Sequence, residues 1–487
     1  MHRFLISAAH KSSGKTTISI GLTAALRARG HSIQTFKKGP DYIDPLWLGL
    51  AAERTCRNLD FYLSSHDELK AQFARHGALG GKSTDVCLIE GNKGLYDGLD
   101  LAGSNSNAAL ARLLDLPVIL VLDARGMTRG IAPLILGYQA FDRELNIAGV
   151  ILNQLGGSRH EAKLRAVIEH YTDVPVIGAV HADPRLILAE RHLGLMPANE
   201  TSAAAEHITE IAGLVAAQVD LDRLLQLTAT QSLLPQSLPT RVSGSAPVRI
   251  AIARDAAFGF YYADDLDALA AAGAELVPFD SLHDTRLPAV DGLFIGGGFP
   301  ECFLDALEAN ASLRREIHAA IEAGLPTYAE CGGLMYLARS ITWQGCTRKM
   351  VGIIAGDIVM HDKPVGRGYV KLQPSAEHPW LKLCHGESLA TSTIDPTALI
   401  AAHEFHYSSL VNLPPETRYA YRMQRGFGVD GKNDGIIHRN LLASYTHLRS
   451  TPGCDWAAQF VQFIRSFKSS LSLQSKEEIQ PWPLSLP

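Results

Sequence analysis

Short runs of apolar residues recur through the first half of the chain, each followed by a stretch with helical spacing. Phe4–Ala8, Val86–Glu90, Val118–Asp123, Ile147–Asn153 and Val176–Val180 are continuous apolar segments of strand length. Their lack of alternation predicts strands buried on both faces. Lys15–Arg29 reads as a helix that stops near Gly30. Strands of this kind alternating with helices predict a parallel sheet covered on both sides. From about Thr228 the period disappears, and 231–247, with its Gln, Ser, Thr, Pro and Gly, reads as a linker. The pattern then restarts with a strand over Val248–Ala253, a helix over Asp264–Ala272 and a strand over Gly292–Ile295. A further strand, Leu325–Ala329, leads into a turn at Cys331. The expected fold class is α/β in two domains, residues 1–230 and 248–467. The Ser- and Pro-rich residues 468–487 are expected to be a poorly ordered tail.

Composition narrows the function. The chain has 487 residues, with 45 Lys+Arg against 50 Asp+Glu, a formal net charge of −5. That balance lacks the basic footprint of a dedicated nucleic-acid binder. No apolar run is long enough to span a bilayer, and no signal peptide is evident, so a cytoplasmic protein without a membrane partner is expected. Seven cysteines, scattered and without a C-x-x-C pair, argue against a disulfide framework or a structural zinc site.

Gly14-Lys15-Thr16-Thr17 follows the first strand and opens the first helix, where a phosphate loop belongs. Loop amides and the helix N-terminus hold phosphate oxygens, Lys15 reaches the β- and γ-phosphates, and the Thr16 hydroxyl binds Mg²⁺. Ala9 stands where the full motif has glycine. Lys11, Ser13, Gly14, Lys15, Thr16 and Thr17 are the expected ATP contacts, although Lys11 reads equally well as a solvated loop charge. Glu90 ends a buried parallel strand beside this loop, which suits a carboxylate for Mg²⁺.

Cys331 lies between a strand and a helix and is followed by Gly332-Gly333. This is a nucleophile elbow with cysteine for serine, and it places the sulfur at a helix N-terminus. Gly297 and Gly298, after a neighbouring strand, and Gly332 are candidate oxyanion donors. A base is required; His447 is favoured, with His403 and His406 as alternatives.

Together these residues resemble the cobyrinic acid a,c-diamide synthase family over nearly the whole chain. The matching stretches are Phe36–Pro45, Asn58–Asp60, Ile89–Gly91, Gly94–Gly98 and Arg191–Leu195, then Gly296–Glu301, Glu330–Gly333 and His403–Ser408. The resemblance implies a dethiobiotin-synthetase-like, P-loop NTPase-like domain joined to a class I-type glutamine amidotransferase α/β domain. It implies that Cys331 attacks glutamine with His447 as catalytic base, and that ATP activates an acetate carboxylate of a tetrapyrrole-derived ring as an acyl phosphate. Asp41, Tyr42, Asp44, Glu90 and Asp97 are then expected around Mg²⁺, the γ-phosphate and the substrate carboxylate. Thr16, Asp41 and Glu90 are the metal ligands in this scheme, and Asp41, Tyr42, Asp44 and Asp97 the substrate contacts. The expected partners are glutamine, ATP and the ring polycarboxylate, with a homodimer left open. Many amidotransferases carry a Glu two residues after the histidine. Here that position is Arg449, which predicts a Cys–His dyad without an assigned orienting carboxylate.

The chain departs from the family pattern at Asn92 and Lys93, at Gly103–Asn107 and at Gly368–Lys371. The first two departures flank the carboxylate loop and leave sirohaem, or a sirohydrochlorin-type ring, as the alternative substrate. A partitioning-type ATPase switch shares the phosphate loop but has no use for a fused cysteine elbow. A degenerate amidotransferase domain is disfavoured because Cys331 and His447 are both present.

Overall fold

A computed structural model describes residues 1–77, 84–191, 194–201, 203–230, 247–380 and 398–477. The chain divides into two units, Met1–Pro239 and Thr240–Pro487. The expected linker falls, but for residue 247, outside the described residues.

The first unit runs β1 (His2–Ala8), α1 (Lys15–Ala28), β2 (Ile33–Lys38), α2 (Ile43–Ala52), β3 (Arg57–Leu59), α3 (His66–Gly77), β4 (Val86–Glu90) and α4 (Asn107–Leu114). It continues with β5 (Val118–Asp123), α5 (Ile131–Phe141), β6 (Ile147–Leu155), α6 (Ser158–Tyr171), β7 (Val176–His181), α7 (Ala204–Gln218) and α8 (Leu221–Thr228). The sheet order is β3-β2-β4-β1-β5-β6-β7, and every pairing is parallel. Alternation along β1 divides the core. Phe4 and Ile6 join Ile211 and Val215 of α7 on one face, while Leu5 joins Leu110 and Ile135 on the other. The register pairs Ile6 and Lys37 with Glu90. The carboxyl ends of β1, β2 and β4 are therefore level, and the loops that leave them share one edge, where open α/β sheets bind ligands.

The second unit is built on a nine-stranded mixed sheet. From one edge the strands are Ala274–Phe279, Val248–Ala253, Gly292–Ile295, Thr327–Glu330, Leu441–Ser444, Asn433–His438, Arg418–Arg425, Gly366–Pro374 and Ile400–His406. The first five are mutually parallel and the rest antiparallel. Under the parallel half lies an aromatic cluster in which Tyr328 stacks on Phe294, with centroids 5.3 Å apart, and packs against Trp456 at 5.0 Å.

The last helix spans Trp456–Glu477. This corrects the expected tail over 468–477: Lys468–Glu477 contains no Pro or Gly, and the first proline comes at Pro481. The rest of that tail lies outside the described residues. Among the described residues no helix is long and apolar enough to cross a membrane, and the six described cysteines are free thiols.

Candidate active site

At the carboxyl edge of the first sheet, the loop after β1 closes on Gly14, which caps α1 in the left-handed region at φ 83°. Glycine adopts that conformation freely. A side chain there would also strike the Asn153 amide, 2.1 Å from an ideal Cβ. Asn153, on β6, donates its Nδ2 to the Ser13 carbonyl at 2.9 Å, and the Ser13 hydroxyl donates to the His10 carbonyl at 2.8 Å. Ser13 thus shapes the loop. Lys15 is buried, and burial lowers its pKa, with Glu90, Asp44 and Asp97 pulling the other way. Thr17 donates to the Leu186 carbonyl at 3.2 Å. Lys11 is exposed.

Thr16 donates its hydroxyl to Glu90 Oε1 at 2.7 Å and lies 3.3 Å from Asp44 Oδ2. Between these carboxylates stands a residue that had no role in the sequence reading. Lys37 Nζ donates to Asp44 Oδ2 at 2.5 Å and to Glu90 Oε1 at 2.9 Å, and sits 3.8 Å from Asp41 Oδ2. Burial works against its charge, but Asp44, Glu90 and Asp41 outweigh burial and hold its pKa well above the ordinary lysine value. Burial raises the Glu90 carboxyl, with Lys37 opposing. Asp41 is pushed up to about 7, first by burial and then by the Asp44 charge. Its Oδ1 accepts the amides of Ile43 and Asp44, which turns the chain into α2. Tyr42 caps α2. Asp97 is exposed and accepts the Gly94 amide at 2.8 Å. Asp41, Asp44, Glu90 and Thr16 thus come together, and Asp97 is close enough to act on the Lys15 charge.

In the second unit Cys331 occupies the turn between the Thr327–Glu330 strand and the Gly332–Leu337 helix at φ 48°, ψ −104°. Only a strained turn presents a side chain outward at a strand end in this way. The two glycine loops meet there: a Cβ on Gly332 would stand 2.9 Å from the Gly298 nitrogen. Gly297 and Gly298 pair with Phe260 and Phe258.

His447 is close enough to Cys331 for the sulfur to raise its pKa, and it turns Nδ1 to Glu330 Oε2 at 3.3 Å. The orienting carboxylate that the sequence left unassigned therefore has a candidate. Glu330, immediately before the nucleophile, supplies the carboxylate. It is itself fixed by Tyr328 Oη at 2.6 Å and the Leu448 amide at 3.0 Å. Tyr328 precedes it by two residues, so strand alternation puts both on the face of the aromatic cluster. Burial would depress the His447 imidazolium, but the Cys331 sulfur and the Glu330 carboxylate reverse this and raise it to about 10.

The alternative bases are engaged elsewhere. His403 stacks on His447 at 4.8 Å, 3.3 Å from Tyr262 Oη, and burial, then His447 and Arg449, hold its pKa well below the ordinary value. His406 meets the Ser408 carbonyl at 2.8 Å and stacks on Tyr445. Arg449, in the place where a carboxylate was looked for, pairs with Asp264 at 2.6 Å.

The two halves match separate family models. Residues 5–195 match the CobQ/CobB/MinD/ParA nucleotide binding domain, and residues 249–452 match the CobB/CobQ-like glutamine amidotransferase domain. The cobyrinate a,c-diamide synthase of Magnetococcus marinus is 44% identical, over 95% of this chain and 97% of that protein. The chain belongs to the cobyrinate a,c-diamide synthase family. Members from Methanosarcina acetivorans and Listeria innocua are 41% and 37% identical, over 96% and 92% of this chain and 96% of each relative. As a cobyrinate a,c-diamide synthase family member, the chain is a glutamine-dependent amide ligase that uses ATP.

For this member of the synthase family, Glu330→Gln is expected to lower glutaminase kcat/KM about 10²-fold or more, since the imidazole loses its orienting acceptor. Because the His447 pKa is held up partly by Glu330, the alkaline limb of the glutaminase pH profile should move to lower pH in the variant. The same elevation sets a stability window. The imidazolium contribution is complete below about pH 6.5 and is lost as pH rises through about 10. A pH–rate series on both proteins checks this; an unmoved alkaline limb contradicts the role of Glu330.

Proposed function

We propose that the protein amidates the a- and c-acetate carboxylates of cobyrinic acid in cobalamin biosynthesis, with ATP as activator and glutamine as nitrogen donor. One observation supports the reading most directly. A single chain carries both a Cys331–His447–Glu330 line and a phosphate loop beside a lysine-bridged carboxylate cluster.

In the amidotransferase unit the Cys331 thiolate attacks the side-chain carbonyl carbon of glutamine. The Gly298 and Gly332 amides meet the developing oxyanion. His447 gives its proton to the departing ammonia, leaving a thioester that water hydrolyses. Glu330 holds the imidazole in the tautomer that this transfer needs.

In the first unit the loop amides and Lys15 hold the triphosphate. A ring carboxylate oxygen attacks the γ-phosphorus, ADP leaves, and an acyl phosphate forms. Ammonia attacks the acyl carbon, inorganic phosphate leaves, and a proton is lost to give the amide. A free carboxylate resists this attack because it is negatively charged. Lys37 offsets the charge of Asp44 and Glu90, so that two anions, carboxylate and phosphate, can approach.

The oxygen donors here also fit Mg²⁺. Glu90 Oε2 is buried without a hydrogen-bond partner, next to the Thr16 hydroxyl. Thr16, Asp41 and Glu90 would hold the ion, which would neutralise phosphate charge when bound. Tyr42, Asp44 and Asp97 would line the carboxylate seat.

The polar Asn92-Lys93 pair beside this seat favours a second reading, in which sirohaem is the ring. The test is incubation with ATP, Mg²⁺, glutamine and either cobyrinic acid or sirohaem, with amides counted by mass spectrometry. Two amides on cobyrinic acid are expected; amides on sirohaem alone would replace the first ring with the second.

A further inference from the structure

The loop after β4 gathers a second group of cations that the scheme above leaves unused. Lys38 follows Lys37 on β2, so its side chain leaves the opposite face of the strand. It is 4% exposed, and its Nζ donates to Asn92 Oδ1, a neutral amide, at 3.0 Å. The carboxylate that attracts it is Asp60, whose Oδ1 also accepts the backbone amides of Tyr62 and Leu63 at 2.8 and 3.2 Å. Burial, and after it Lys93 and Lys37, outweigh Asp60 and bring the Lys38 pKa down to about 8. Lys93 is exposed and stands in the left-handed region at φ 44°, a conformation that glycine would adopt without strain.

Between the two lysines the loop is tied down. Asn107 is buried, donates Nδ2 to the Asn92 carbonyl at 2.5 Å and to the Gly94 carbonyl at 3.0 Å, and accepts the Asn92 amide at 3.2 Å. The fold therefore sets the buried Lys38 ammonium on a fixed neutral amide, Asn92, two residues beyond Glu90, with the exposed Lys93 next along the same loop. Such an arrangement attracts an anion.

We propose that Lys38, Asn92 and Lys93 form a seat for a second carboxylate of the ring, neighbouring the one that is amidated. This rests on the reading that the substrate is a ring polycarboxylate. The rigid ring holds its acids at fixed spacing, so seating one neighbour decides which acetate reaches Lys37 and Glu90. The seat determines orientation and takes no part in bond making. A phosphate of ATP is the other anion close by, and the experiment separates the two.

Initial rates are measured with ammonia as nitrogen donor, varying cobyrinic acid or sirohaem at saturating ATP, then ATP at saturating ring. Lys93→Ala is expected to raise KM for the ring about threefold to tenfold, and Lys38→Met about tenfold or more. Both should leave kcat and KM for ATP within about twofold. Lys93 is exposed, so its variant keeps the test intact if Lys38→Met fails to fold. An unchanged KM for the ring, or a rise confined to KM for ATP, overturns the seat while the amidation reading stands. Failure of the unaltered protein to amidate either ring removes both.

Discussion

Cys331→Ala is expected to abolish glutamine-dependent amidation and to leave ammonia-dependent amidation within about twofold of the unaltered protein. In the proposed scheme the sulfur forms the thioester, and alanine has no atom to replace it. The residual glutamine-dependent rate should fall below ~10⁻³ of the original. Alanine keeps a Cβ and so carries the same backbone cost at φ 48° as cysteine, which makes this variant a test of chemistry separate from the turn. In that scheme free ammonia meets the acyl phosphate without the second unit's chemistry. The measurement is amide formation with each nitrogen donor, at equal ATP and ring. Retained glutamine activity would remove Cys331 from its role.

Lys37→Met should abolish amidation with either nitrogen donor and also lower stability. The lysine is 4% exposed at its side chain and bonds the buried carboxylate of Glu90 and the half-buried carboxylate of Asp44. Removing one partner of a buried ionic group costs about 3–5 kcal/mol, because the remaining charges are left uncompensated. Asp44 and Glu90 would take up protons or repel each other, and the approach of a carboxylate to a phosphate would lose a buried cation. Thermal unfolding and ammonia-dependent amidation should fall together in Lys37→Met. Lys37→Arg keeps the charge but not the point geometry, and should recover stability more than rate. Amidation above a tenth of the original rate in a folded Lys37→Met protein would contradict the assignment.

The parts of this protein legible in its sequence are those specified locally. β1, β4, β5, β6 and β7 are continuous apolar runs, and the Gly14 and Cys331 turns lie between a strand and a helix. β2 escaped notice because Ile33-Gln34-Thr35-Phe36-Lys37-Lys38 reads as a polar segment. All six residues are nevertheless buried. The charge of Lys37 is tolerated there only because α2 supplies Asp44 and β4 supplies Glu90. Glu330 is hidden for a similar reason: its partner His447 is 117 positions away, while the position two residues after the histidine holds Arg449. A tyrosine and a glutamate two apart, Tyr328 and Glu330, on a strand otherwise fit for the core were the available signal. The antiparallel half of the second sheet mixes polar and apolar positions over short strands and left no continuous run to read.

The turn at Cys331 has a consequence beyond catalysis. A non-glycine residue at positive φ is held there at a cost of about 1–3 kcal/mol, and glycine at the same position would release it. Cys331→Gly should therefore be more stable than Cys331→Ala, although both are inert toward glutamine.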